Sequence, residues 1–219
     1  MFNIPEVCYC GKRLFNRSDT RYNSHMSRKR SKAHAEYTKD VLLRRAEMRF
    51  AEVGYANTSI NEIVEQEQLT KGALYYYFKD KRDLFGHVVD RLVSEMVESV
   101  RQAIDREDDP WKRAVAAIET YVEGCLRPAY RQIVLREAPA ILGWAAWRDK
   151  EKHSVMGLST MLLQELMAAG LIRQQAVAMP ACVLFGAVTE AAIGIAESDD
   201  PVEARKQASA VLVRFIQAL

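Results

Sequence analysis

From Glu36 onward the chain is punctuated for helices and for little else. Val41, Leu42, Ala46 and Phe50 recur at helical spacing, with Leu43 and Met48 beside them, and the pattern stops at Gly54, a residue suited to the end of a helix. Ser59-Ile60-Asn61-Glu62 has the form of a capping box and opens a short helix whose apolar face is Ile60, Ile63 and Val64. Thr70 can cap a second short helix over residues 71–77. A long helix comes next over about 81–106, with Leu84, Phe85, Val88, Leu92 and Met96 on one side. Asp109-Pro110 starts another, an N-cap followed by proline at the first helical position, and Pro128 ends the region after about residue 126. Residues 129–142 are apolar but interrupted by Pro139, which predicts one short helix and a bend. Further helices are expected over 144–169, ended by Gly170, over 177–197 and over 201–218. No run alternates over strand length, and the Asn-Gly and Asp-Gly hairpin pairs do not occur. The expected fold is therefore all-α, with about nine helices.

With 219 residues, 49% of them apolar and 27% charged, the chain can bury a real core and is not disordered in composition. The net charge of +2 hides an asymmetry: residues 1–34 hold eight Lys/Arg against two Asp/Glu, a surplus of +6, so residues 35–219 sum to −4. An anionic partner is thus expected toward the front of the chain. Four cysteines (Cys8, Cys10, Cys125, Cys182) make no dense framework, and the natural setting is the reducing cytoplasm. Residues 177–195 carry a single charge, Glu190, but are rich in Ala and Gly and contain Pro180, which suits a helix buried in a bundle better than a membrane span.

The stretch LTKGALYYYFKDKRDLF, residues 69–85, carries the functional signal. Consecutive tyrosines point in different directions around a helix and cannot all serve one core face. Leu74 and Phe78 stand four apart and can bury together, leaving Tyr75, Tyr76 and Tyr77 outward or sideways. Two short helices joined by a brief turn and preceded by a longer helix form a helix-turn-helix, whose second short helix enters the major groove of DNA. Rigid phenols suit phosphates and base edges, Lys71, Lys79 and Lys81 add positive charge on both flanks, and Gly72 permits close approach of backbone to a base. The amino end of the helix beginning near Lys81 offers N–H groups to a phosphate.

Residues 50–85 resemble the amino-terminal DNA-binding domain of TetR-family transcriptional regulators, through Phe50, Gly54-Tyr55, Thr58-Ser59-Ile60, Ile63, Thr70-Lys71-Gly72-Ala73-Leu74-Tyr75, Phe78, Lys81 and Leu84-Phe85. The resemblance implies a DNA-contacting set of Thr58, Thr70, Lys71, Gly72, Tyr75, Tyr76, Tyr77 and Lys81, with Thr58, Tyr75, Tyr77 and Lys81 on phosphates and Lys71, Gly72 and Tyr76 nearer the bases. Where such proteins often have a small residue and glycine in the turn, this chain has Glu67-Gln68, so mild strain is expected at Gln68. The implied organisation is a basic, flexible tail (1–34), a helix-turn-helix domain (35–80) and a helical bundle for ligand binding and dimerisation (81–219).

At the amino terminus, Cys8, Cys10, His25 and His34 are the residue types of a zinc site, but one residue between the cysteines and eight between the histidines fit no ordinary finger. Two other readings are a basic arm, with Arg28, Lys29, Arg30 and Lys32 near DNA, and a natural start at Met26, whose MSRKR is a typical opening. No cofactor is expected. In the bundle, Gly186, Ala187, Ala191, Ala192 and Gly194 allow close helix approach, and with Val202, Leu212, Val213, Phe215 and Ile216 they outline a homodimer face. Trp111, Tyr121, Cys125, Trp144, Trp147, His153, Met156 and Phe185 suggest a pocket for a small apolar or aromatic effector. The expected activity is a cytoplasmic, sequence-specific regulator, most simply a repressor, that binds a near-palindromic operator and releases it when the effector binds. The alternatives are a DNA-binding protein with the same head and no ligand, architectural or acting in the cell cycle, and an all-α enzyme using Glu165, Glu190, His87 or His153, whose spacing matches no helical metal motif.

Overall fold

Local capping chemistry starts the helices where the sequence signals stand. In the computed structural model, which describes the backbone of residues 17–65, 67 and 69–219 and the side chains from residue 35 onward apart from those of 66, 68, 151, 153 and 154, ten helical segments form and no strand occurs among the described residues. They are α1 (Arg17–Asn57), α2 (Ile60–Glu65), α3 (Lys71–Tyr77), α4 (Lys81–Ile104), α5 (Pro110–Gly124), a π-helical segment π1 (Tyr130–Glu137), α6 (Ala138–Leu142), α7 (Trp144–Ala168), α8 (Ala178–Glu197) and α9 (Pro201–Gln217). The Ser59/Glu62 box closes reciprocally: Ser59 N–H donates to Glu62 Oε2 at 3.0 Å and Glu62 N–H to Ser59 Oγ at 3.2 Å. Asp109 accepts from Lys112 N–H at 2.9 Å ahead of Pro110, and Asp200 from Glu203 N–H at 3.0 Å ahead of Pro201.

Two expectations are corrected. Residues 17–34, expected as an irregular tail, have helical backbone that continues unbroken into residues 35–53. Neither Pro nor Gly occurs between Arg17 and Val53, so nothing local stops the helix. The regular geometry of α1 breaks at Gly54, with φ 81° and ψ 166°. Residues 129–142 hold no bend at Pro139. There π1 runs directly into α6, and the chain turns only at Gly143, with φ 91°. In an α-helix the ring of Pro139 would press on the carbonyl of Leu135. Opening the preceding turn to i→i+5 bonding, with Ala138 N–H donating to Ile133 O, relieves that clash.

The chain divides into two units, Met1–Asp40 and Val41–Leu219. In the second, Leu42, Phe50, Ile63, Leu74, Phe78, Leu84 and Phe85 are buried in one cluster that continues through Val88, Met96, Ile118, Ile133 and Leu163. Burial of each large side chain contributes about 1.5–3 kcal/mol. Phe85 stands edge-on to both Phe50 and Tyr55, with ring centroids 5.2 and 5.1 Å apart. The long helix α4 is the spine, packing on α5, α7, π1 and α6. α8 lies among α7, α9 and π1 and buries Ala181, Leu184, Phe185, Val188, Ala192 and Ile195. By length and composition alone α8 could cross a membrane, but this buried face is what a bundle helix requires.

Candidate nucleic-acid interface

α3 is held by one anchor and two local caps. Thr70 accepts the Ala73 N–H at 3.1 Å, and Phe78 N–H returns to Leu74 O at 3.0 Å. Leu74 is its single fully buried residue, and α2 is its packing partner, with Ile63 and Val64 buried and Leu69 N–H bonded to Val64 O at 3.0 Å. Leu74 and Phe78 fix which side faces inward, so Lys71, Gly72, Tyr75 and Tyr76 emerge on the other. Tyr76 is 80% exposed and Tyr75 51%. Tyr77 is half-buried, its ring 4.9 Å from that of Tyr76 and edge-on to it, a prop that restricts where Tyr76 can point. Three tyrosines in a row thus divide into two outward phenols and one brace.

The remaining expected contacts separate. Thr70 is exposed, and its hydroxyl, already accepting from Ala73, still has a proton to donate. Thr58 is a correction: it is buried, and its hydroxyl donates to Gly54 O at 2.8 Å, so it braces the turn before α2 instead of facing a phosphate. Lys81 is half-withdrawn, its ammonium 3.4 Å from Ala56 O and 4.4 Å above the Tyr55 ring. Burial is the main cause lowering its pKa below the ordinary lysine value, while Glu137 and Glu62 act the other way. Nor does the amino end of α4 stand open. Asp80 takes the Asp83 N–H at 2.8 Å, and Asp83 takes the Lys79 N–H at 2.9 Å, placing two carboxylates where a phosphate was expected. Gln68 and the zinc candidates Cys8, Cys10, His25 and His34 lie outside the described residues or have side chains that do.

Sequence reasoning missed what braces this surface from behind. The two oxygens of Glu137 accept the Tyr55 N–H at 3.1 and 3.0 Å, and Gln132 Nε2 donates to Oε1 at 3.1 Å. Arg82 donates from Nε to Ile141 O at 2.9 Å and from Nη2 to Leu142 O at 3.0 Å, closing the carboxyl end of α6. No short-range motif marks the bonds of Tyr55 to Glu137 or of Arg82 to the end of α6, because those partners lie 59 to 82 residues apart in the chain.

The geometry agrees with comparison to known proteins. The family model described as "Bacterial regulatory proteins, tetR family" matches residues 42–88, and "Tetracyclin repressor-like, C-terminal domain" matches residues 111–219. A crystal structure of a TetR-family transcriptional regulator from Pectobacterium atrosepticum is 34% identical, covering 82% of this chain and 92% of that one with a TM-score of 0.74. The chain belongs to the TetR family of transcriptional regulators. The HTH-type transcriptional repressor BepR of Brucella suis biovar 1 is 35% identical over 82 residues, 37% of this chain and 39% of BepR. The HTH-type transcriptional regulator AcrR of Shigella flexneri is 40% identical over 63 residues, 29% of each chain. The chain thus aligns to well under half the length of these curated relatives.

In this TetR-family bundle the expected pocket residues do not converge. Trp111 lies in an outer groove with Lys112, Val115 and Glu119. Trp144 is exposed, its ring 5.0 Å from that of buried Trp147. Cys125 is buried, Phe185 is buried with the Arg148 guanidinium 5.2 Å from its ring, Met156 is half-buried, and the side chain of His153 is outside the described set. Only Tyr121 lines the internal cavity, a space of about 60 Å³ walled by Met96, Val100, Ile118, Tyr130, Ser159, Leu163 and Leu184 among others. Its walls come from α4, α5, π1, α7, α8 and α9 and are mainly aliphatic, which a search among aromatic and sulfur-bearing residues largely passes over. No lining residue carries a charge.

Proposed function

We propose that this TetR-family chain is a homodimeric, sequence-specific DNA-binding regulator, most simply a repressor, acting in the cytoplasm. The helix-turn-helix region, residues 35–80, serves as its DNA-binding part, and residues 81–219 sense an effector and dimerise. The observation that carries this is the outward face of α3: Lys71, Gly72, Tyr75 and Tyr76 exposed together around a single inward anchor. Such a face suits a major groove, with Lys71 and Tyr76 toward base edges and Tyr75, Thr70 and Lys79 toward phosphates. Dimerisation is supported by α8 and α9, where Met179, Val183, Val202 and Val211 are exposed. A two-fold pairing there sets two recognition helices for half-sites about one DNA turn apart.

The uncharged cavity walls, with Tyr121, Tyr130 and Ser159 as their polar groups, favour a small neutral apolar or aromatic effector. At about 60 Å³ the cavity is smaller than the ~150 Å³ that admits benzene. An effector therefore binds a state in which the helices have parted, which is the differential affinity that release of DNA requires. Nothing favours an enzyme: Glu165 is paired with Arg113 at 2.8 Å, and His87 stands edge-on to Phe78.

The test is to enrich duplexes from a randomised pool on the wild-type protein and titrate the winner with Lys71→Ala and Tyr76→Phe. Lys71→Ala should weaken binding about 5- to 150-fold and relax preference at one position per half-site. Tyr76→Phe should cost less but in the same direction. Wild-type affinity and sequence preference in both variants would sink the assignment.

A further inference from the structure

The i→i+5 repeat of π1 places residues five apart on nearly one side, whereas in an α-helix they diverge by about 140°. Two such pairs occur, and they grip different parts of the protein. Arg131 Nε and Arg136 Nε both donate to Ala196 O at 3.0 Å, and Arg131 Nη2 to Ser198 O at 3.3 Å, clamping the carboxyl end of α8. Gln132 and Glu137 form the second pair, and the Glu137 carboxylate holds the Tyr55 N–H. The fit at Gly54 is tight, since a Cβ there would come within 2.7 Å of Glu137 Oε1. Between the pairs, Tyr130, Ile133 and Val134 are buried, and Tyr130 lines the cavity.

We propose that Arg136 and Glu137 are positioning residues through which π1 sets the head: its π register ties the turn at Gly54–Tyr55, and through it α2 and α3, to the end of α8. Both residues lie outside α2 and α3. Arg136 and Glu137 are consecutive, so a change in the register of π1 that turns one off its partner turns the other as well. The part of this inference that concerns DNA rests on the regulator reading under Proposed function. The tie between α8 and the head does not.

The test combines backbone amide exchange of the full chain without DNA with titration of the duplex enriched from the random pool. Glu137→Ala should speed exchange over residues 53–58 and weaken the duplex about tenfold or more. Glu137→Gln, which keeps an acceptor oxygen, should restore most of both. Arg136→Ala is the decisive variant, because among the described residues the hydrogen bond of its side chain goes to Ala196 O. It should speed exchange at 53–58 and lower duplex affinity about 2- to 30-fold, with residues 88–100 unchanged. Arg136→Ala that loosens only residues 194–200, leaving 53–58 and the duplex affinity as in wild type, overturns the proposal. Should Glu137→Ala fail to fold, Glu137→Gln and Arg136→Ala carry the test. A wild-type protein that enriches no duplex defeats the regulator reading, and the exchange measurement still decides the tie.

Discussion

α3 and π1 are almost the same length, seven residues and eight, and they are built in opposite ways. α3 buries one side chain, is capped by its own neighbours, and leaves two tyrosines, a lysine and a glycine facing out. π1 buries four side chains, has no side-chain N-cap, and commits Arg131, Gln132, Arg136 and Glu137 to partners on other elements or within itself. A segment whose polar groups are all engaged within the fold holds other elements in place. A segment that leaves its polar groups exposed around a minimal anchor presents them to a partner.

The comparison is most directly broken at the anchor. Leu74→Ala removes the one fully buried side chain of α3 and should cost about 2–5 kcal/mol, felt first in the α2–α3 pair. Thermal unfolding followed together with amide exchange should show α3 released, while the protection of α5 and α8 is kept. An α3 as protected as in wild type would mean that the caps, not Leu74, hold it.

Two glycines sharpen it next. Gly54 has φ 81°, and an added Cβ would meet Glu137 Oε1 at 2.7 Å, so Gly54→Ala should destabilise by about 1–3 kcal/mol. At Gly72 a Cβ meets only Thr70 Oγ1, at an ordinary 3.6 Å, so alanine should fit and, through helix propensity, stabilise by up to about 1 kcal/mol. The same Gly72→Ala protein should bind the enriched duplex less well, because in the proposed docking the added methyl stands where backbone would approach a base. A variant both more stable and as tight on DNA would show that this glycine faces no groove.

The same difference decides what could be read in advance. α3 was legible because its cap Thr70, anchor Leu74 and outward Lys71 and Tyr76 lie within seven consecutive positions, and the capping box ahead of α2 is equally local. The start of α5 was legible for the same reason, through Asp109-Pro110. The form of π1 was not, because a helical pattern assumes 3.6 residues per turn and Pro139 reads as a stop, while the grip on Tyr55 spans 82 positions. Thr58 was misplaced because a resemblance assigns a role without showing that the hydroxyl is turned inward to Gly54. The cavity escaped because six helical segments contribute to it and no stretch of sequence contains it.

The smallest expected effect lies in two carboxylates of the head that respond oppositely to pH. The Ser59 N–H, with help from Arg49, holds Glu62 below its ordinary pKa of 4.5. Its contribution is therefore present above pH 4.5 and lost as pH falls through the lower folded value. Burial raises Glu47 above 4.5 despite Arg91 at 3.3 Å. Its contribution is present below 4.5 and lost as pH rises through the higher folded value. Unfolding of wild type, Glu62→Gln and Glu47→Gln, measured from pH 3 to pH 7, should show the wild-type advantage over Glu62→Gln shrinking on acidification. Relative to Glu47→Gln, wild type should gain as the pH drops. Parallel profiles for the two variants would mean that the capping carboxylate and the partly buried one sit in equivalent surroundings, against the hydrogen bonds to Ser59 and the ion pair with Arg49 that hold Glu62.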